Sequence, residues 1–225
     1  MAPGSDSSVI RRTTLREQIA DALRDEILAG RLPSGHPFTV KEIAEQYGVS
    51  ATPVREALLD LCAQGLLDVE QHRGFKVHAF TADDFRAMVE ARTLIIEGIF
   101  RSNAERALLT TPAEVLISVR RRAEEAERAA RAGDLDVLIG YDLRFWRELG
   151  GIVKNAYISD FLDRIRVQTW MFAVPLLRRE PRLKGLLWHG HGELADALLR
   201  HDLPAAQRLI GEYNAHSLAL VGTAR

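Results

Sequence analysis

Apolar residues at Leu15, Ile19, Ala22, Leu23, Ile27 and Leu28 recur at three- and four-residue intervals. That spacing predicts an amphipathic helix, stopped by Gly30 and Pro33. Thr39 and Glu42 then stand three apart, as in a capping box, and open a short helix that buries Ile43, Ala44 and Tyr47. Gly48 suits the left-handed residue after its end. Val49 alone separates Gly48 from Ser50, an N-cap for a third helix with Val54, Ala57, Leu58 and Leu61 on one face. Pro53 falls in its first turn, where a missing N–H costs little. After Gly65 the period shortens, and segments 66–70 and 75–80 flank Gln71-His72-Arg73-Gly74 as a β-hairpin.

Residues 81–84 read as a brief linker and helix cap, and the remainder reads as helical throughout. Helices are expected near 83–109, 112–132, 134–150, 155–177, 182–200 and 204–222. Thr110-Thr111-Pro112, Gly133-Asp134, Gly150-Gly151, Pro181 and Asp202-Leu203-Pro204 punctuate them. The charges of 120–131 alternate in sign, the mark of a solvated helix face. Residues 1–12, with Pro3, Gly4 and three serines, read as a mobile arm. The fold class is therefore mainly α: a winged helix-turn-helix over 13–79, then an all-α bundle of about six helices over 83–225.

Composition narrows the function. The chain has 225 residues, 47% of them hydrophobic, enough to bury a core and too apolar for disorder. Cys62 is its one cysteine, which excludes a disulfide framework or a Cys-rich zinc module. No signal core or apolar run of ~20 residues is present, so a soluble, cytoplasmic protein with no membrane partner is expected. A net charge of −1 excludes a sequence-blind polycation. Over residues 1–78, nine Lys and Arg face eleven Asp and Glu, a net charge of −2. Any basic surface must come from segregation of charge, and affinity for DNA from pairing two modules in a dimer.

In a helix-turn-helix the second helix lies in the major groove and reads base edges with its N-terminal residues. Ser50, Thr52 and Arg55 occupy that end, opposite Val54, Leu58 and Leu61. Arg55 can fork onto a guanine or hold a phosphate, Lys41 suits a phosphate, and His72-Arg73-Gly74 forms the wing tip. Three-helix modules of this kind also serve protein–protein contacts.

The runs Gly30-Arg31-Leu32-Pro33-Ser34-Gly35, Thr39-Val40-Lys41-Glu42-Ile43-Ala44 and Tyr47-Gly48-Val49-Ser50-Ala51-Thr52-Pro53-Val54-Arg55-Glu56-Ala57-Leu58 resemble the GntR family of bacterial transcription regulators. Gly65-Leu66-Leu67 and Arg73-Gly74-Phe75-Lys76-Val77 continue the resemblance, which spans nearly all of 15–78 in order. It implies that Lys41, Ser50, Thr52, Arg55, His72, Arg73 and Gly74 face double-stranded operator DNA. Ala51 stands where the family usually has a DNA-touching arginine, which implies one contact fewer or an altered operator preference.

Glu90-Ala91-Arg92, Glu97, Tyr141-Asp142-Leu143-Arg144-Phe145-Trp146, His189-Gly190-His191, Tyr213 and His216 resemble the all-α effector domain of the FadR subgroup, the FCD domain, over roughly 81–225. Many members hold a divalent metal with one Asp and three His. Asp142 and His191 match two of those ligands, while Trp146 and Tyr213 stand at the others. His216, one turn beyond Tyr213, could complete a set of Asp142, His191 and His216 for zinc, nickel or manganese. The other occupant of the same cavity is an organic effector, which requires no cofactor. Arg92 would then fork onto a carboxylate, Trp146 would form a wall, and Asp142, His191, Tyr213 and His216 would orient the ligand. Trp146 could equally be core, and Arg92 could pair with Asp142.

The resemblance thus implies a homodimeric repressor released from a palindromic operator by a small, carboxylate-bearing metabolite. A metal-dependent regulator is the alternative. A metal-dependent enzyme using Asp142, His191 and His216 lacks any nucleophile–base motif, HExxH or phosphate loop. An adaptor that binds only proteins leaves the recognition helix and wing unexplained.

Overall fold

A computed structural model of the chain describes residues 14–71 and 73–223. Two compact units emerge, one of residues up to 27 with 35–78, the other of 28–34 with residue 79 onward. The arm at 1–12 and the wing-tip residue His72 lie outside the described residues.

The first unit runs α1 (Leu15–Leu28), β1 (Pro37–Phe38), α2 (Val40–Tyr47), α3 (Ala51–Ala63), β2 (Leu67–Glu70) and β3 (Gly74–Val77). Thr39 caps α2 in the expected box: its hydroxyl accepts from the Glu42 N–H, and the Glu42 carboxylate accepts from the Thr39 N–H. Gly48 ends the helix at φ 65°, and Ser50 starts α3 with an extended backbone but no side-chain cap bond. Val54, Ala57, Leu58 and Leu61 of α3 are fully buried, with Leu23, Ile43 and Val77. Tyr47, expected in the core, is only half-buried. The hairpin pairs Asp68 with Lys76 and Val69 with Phe75. A third strand not read from the sequence joins it, because Pro37–Phe38 pairs with Lys76 and Phe75 to give the order β1-β3-β2. Two residues are too few for alternation to register.

The second unit contains α4 (Ala82–Ser102), α5 (Ala104–Leu109), α6 (Ala113–Ala132), α7 (Leu135–Ile152), α8 (Ala156–Leu177), α9 (His191–Leu199) and α10 (Leu203–Thr223). Two expected boundaries change. The helix expected over 83–109 breaks at Asn103 (φ −142°), whose side-chain amide donates to the Val153 carbonyl at 3.1 Å. The helix expected over 182–200 begins only at His191, because Gly185 turns left-handed (φ 86°) and 178–190 are a mixture of turns, bends and irregular backbone. The apolar residues there are real core: Leu187 is buried and Trp188 packs edge-on to His191. Their spacing mimics a helix, but they belong to a loop folded over the bundle.

Helix α6 packs on α7 and α9, α8 on α7 and α4, and α10 on α9 and α4. Ala123, Ala126, Ala129 and Ala130 form the buried stripe of α6, which lets α9 approach closely. A Cβ on Gly192 would meet the Glu127 carboxylate at 2.1 Å. The alternating charges of α6 face outward, yet some tie helices together: Arg122 to Glu148 on α7 and Arg120 to Asp196 on α9. The main core joins Phe145, Trp146, Leu194, Leu209 and Tyr213, and a smaller one holds Phe85, Met88, Val89 and Ile165. No helix among the described residues is long and apolar enough to cross a membrane.

Candidate functional site

In the first unit an open groove is lined by Lys41 and Gly48 around α2, Ala51 and Arg55 of α3, and Glu70 and Gly74 of the hairpin. The turn at Gly48 and Val49 sets the two helices so that Ser50, Thr52 and Arg55 emerge on the side opposite the buried Val54, Leu58 and Leu61. All three are exposed, as are Lys41 and Arg73. The Lys41 ammonium is 3.7 Å from Glu45, one turn on, a contact that a phosphate could replace at little cost because surface pairs contribute little. The acidic count is also partly spent internally: Arg16 pairs with Asp60, Lys76 with Glu70, and His78 with Asp68.

Gly74, expected at the DNA-facing wing tip, also has a backbone role. Its φ is 97°, and a Cβ there would lie 2.5 Å from the Phe38 carbonyl oxygen. Glycine is required so that β1 can close on the wing, whatever else the tip touches. Among the expected DNA-facing residues, then, Lys41, Ser50, Thr52, Arg55 and Arg73 present side chains outward, and Gly74 shapes the backbone.

In the second unit Asp142 is the centre. It is 1% exposed, and three N–H groups converge on its carboxylate. Trp146 Nε1 donates to Oδ1 at 2.9 Å, Trp170 Nε1 to Oδ2 at 2.8 Å, and His191 Nε2 lies 2.9 Å from Oδ1. Burial alone would push the Asp142 carboxyl up. The His191 hydrogen bond and the Arg166 charge outweigh it and hold the group below its ordinary value. An ionised Asp142 fixes the His191 tautomer with its proton on Nε2. The other ring nitrogen, Nδ1, is buried without a partner.

Trp146 and Tyr213 have ring centroids 5.0 Å apart and support two buried guanidinium groups. Arg166 Cζ lies 4.0 Å from the Trp146 centroid and 5.0 Å from that of Tyr213. Arg92 Cζ lies 5.1 Å from the Tyr213 centroid. Arg92 makes no ion pair with Asp142, as the sequence left open. Burial and the neighbouring Arg166 charge lower its pKa to about 10. Burial raises the Tyr213 phenol.

A cavity of about 270 Å³ opens on this cluster. Asp142, Thr169, Trp170, Glu180, His191, Tyr213, His216 and Ser217 supply its polar wall, among apolar residues such as Phe85, Leu138 and Leu187. Of the six expected effector residues, Asp142, His191, Tyr213 and His216 line it. Trp146 sits behind Asp142, and Arg92 behind Tyr213. The structure adds Trp170 and Trp188 to the wall and Arg166 on the Trp146 ring outside it, none of which sequence reasoning singled out. Arg166 and Trp170 are one turn apart on α8, a helix without a recognised motif, and Trp188 lies in the loop misread as helix.

The expected ligand set Asp142, His191 and His216 does not assemble. No group of three His, Cys, Asp or Glu among the described residues is placed to hold a metal ion. His216 remains on the cavity wall and bonds the backbone at Leu186, and burial lowers its pKa. Three N–H groups already crowd the Asp142 carboxylate, two of them on Oδ1, and His191 Nε2 is turned to Asp142. The residues present do not fit a divalent ion.

Comparison with known proteins matches the description "Bacterial regulatory proteins, gntR family" to residues 15–77 and "FCD domain" to residues 81–216. A protein of Paenarthrobacter nicotinovorans named "Probable D-xylose utilization operon transcriptional repressor" is 35% identical over 67% of this chain and 64% of its own length. The HTH-type transcriptional repressor RspR of Escherichia coli is 23% identical over 88% of this chain and 85% of its own. The match to the first of these thus spans a little under two thirds of that relative. Among solved structures, E. coli McbR/YncC superposes with a TM-score of 0.79 at 21% identity, over 94% of this chain and 98% of that one. This likeness is one of fold.

Proposed function

Because the chain belongs to the GntR family of bacterial regulatory proteins and carries an FCD domain, we propose that it is a DNA-binding transcriptional repressor, released from its operator by a small organic acid. The observation that carries this reading is the groove around the start of α3. Thr52 and Arg55 stand exposed there beside Lys41, where a recognition helix would meet base edges and phosphates.

Two copies of the chain would bind a near-palindromic operator, since one unit with net charge −2 has too little electrostatic attraction to hold DNA strongly alone. The dimer would work in the cytoplasm. The 270 Å³ cavity suits a small metabolite with a few polar groups. His191 Nδ1 would accept from a ligand hydroxyl. The name of the D-xylose relative adds that a sugar-derived hydroxy acid is a sensible first candidate. Binding would favour one arrangement of the helices over another and so spoil the match to both half-sites. No catalytic step is assigned.

Fluorescence anisotropy with DNA from upstream of the chain's own gene tests the reading. Sequence-selective binding that weakens steeply with salt is expected. Equal affinity for that fragment and a scrambled one would refute it.

A further inference from the structure

The helical unit holds a second cavity, of about 90 Å³, with a wall unlike that of the first. Ile96 and Phe100 of α4, Leu108 of α5, Leu149 and Ile152 of α7 and Leu203 beside them make it apolar. Of these only Leu108 is buried, and the other five are half-buried, so the fold leaves this apolar surface incompletely covered. Water is a poor occupant of such a space, and an apolar molecule a good one. The rim is pinned by hydrogen bonds to two backbone carbonyls of wall residues. The Asn103 amide donates to Val153 at 3.1 Å, and the Ser159 hydroxyl donates to Gly150 at 2.9 Å.

Trp146 and Arg166 form the partition between the two cavities. Both line the second, and Trp146 holds Asp142, which lines the first. Arg166 is 4% exposed, and its Nη1 is buried without an acceptor. Among the described residues, no other side chain on this wall carries such an orphan. A buried donor left unpaired costs free energy that a ligand oxygen would recover. That oxygen need not be charged. The ionised Asp142 already answers the charge of Arg166. Asp163, on the same wall and 2.9 Å from Arg147, is a second carboxylate that an anion would have to approach.

We propose that this cavity is a second ligand site, for a small uncharged molecule that is mostly hydrocarbon and offers one carbonyl or ether oxygen to Arg166. Its volume sets the upper size. An apolar cavity of about 150 Å³ stays dry and holds benzene, so this one takes a molecule no larger. The site is separate from the effector cavity, whose wall carries Asp142, Glu180, His191 and His216, and it stands independently of the regulatory reading above.

The test uses the full-length protein with cyclopentanone as the probe. Cyclopentanone at millimolar concentration should raise the melting temperature saturably. Ala104→Leu, which fills this cavity, should weaken its binding at least tenfold, while Ala173→Leu, which narrows the first cavity, should leave it unchanged. Cyclopentanecarboxylate should give no shift that Ala104→Leu removes. In infrared spectra the carbonyl stretch of bound cyclopentanone should lie below its position in hexane, the signature of a hydrogen bond. Ala173→Leu and the infrared band decide the question even if Ala104→Leu fails to fold. No saturable shift, a shift lost in Ala173→Leu but kept in Ala104→Leu, a carbonyl stretch at its hexane position, or tighter binding of the carboxylate at this site would overturn the proposal. Absence of operator selectivity in a protein that binds cyclopentanone would refute the regulatory reading alone and leave this site standing.

Discussion

Trp146 donates its indole N–H to the carboxylate of Asp142, one turn earlier on α7, at 2.9 Å. With Trp170 and His191 on the same carboxylate, the bond makes Asp142 the hub that joins α7, α8 and α9. The charge of Asp142 also offsets Arg166, whose field helps keep it ionised.

Asp142→Asn keeps the shape and removes the charge, so one amide NH2 would face the indole and imidazole donors and both arginines would lose their counter-charge. Removing one partner of a buried charge cluster costs about 3–5 kcal/mol, a fall of the order of 10 °C for a chain of this size. Calorimetry on the full-length variant checks this. An unchanged melting temperature would show that the cluster contributes little to the fold.

Gly74→Ala should destabilise the reader. The left-handed backbone alone costs a side chain about 1–2 kcal/mol, and the contact with the Phe38 carbonyl adds to it. Loss of β1 pairing, read as faster amide exchange at Phe38 and Lys76, is the expected signature.

Acidification should weaken the helical unit in two separate windows. Burial holds His216 below its ordinary pKa, so the folded state favours neutral imidazole. That contribution is complete above about pH 6.5 and is lost as pH falls below it toward the folded value. Asp142 is also depressed, so its contribution is present above about pH 4 and is lost only as pH falls through its lower folded value. Melting temperatures from pH 7.5 down to 5 should therefore decline, and His216→Gln should flatten the decline. An equally steep fall in the variant would assign it elsewhere.

Arg55→Ala should cost operator binding about 1–3 kcal/mol and relax specificity at one position. Arg73→Ala should weaken all sequences alike and lower the salt slope by about 1. The reverse pattern would exchange the two assignments.

The reader was legible in the sequence almost residue by residue, because its elements end in local chemistry: Thr39 with Glu42, Gly48, and Pro53 in the first turn of α3. The strand at Pro37–Phe38 was not, since it exists only through pairing with Lys76 and Phe75. In the helical unit, Asp142 and His191 were found by motif and lie together. Arg166 and Trp170 carry no motif, and a buried arginine looks in sequence like any surface one. The 182–200 segment failed for a related reason: Leu183, Leu186, Leu187 and Trp188 have helical spacing, but Gly185 and the packing of Trp188 on His191 fix a loop.

On the proposed reading one chain couples ligand binding to DNA binding. Anisotropy of a labelled upstream fragment, titrated with protein in the presence and absence of a carboxylate that raises the melting temperature, tests it most directly. The expected result is operator affinity lower by about 5- to 150-fold with the carboxylate, the usual range of allosteric coupling, and unchanged by its amide. Identical binding curves with and without a carboxylate that demonstrably stabilises the protein would contradict it.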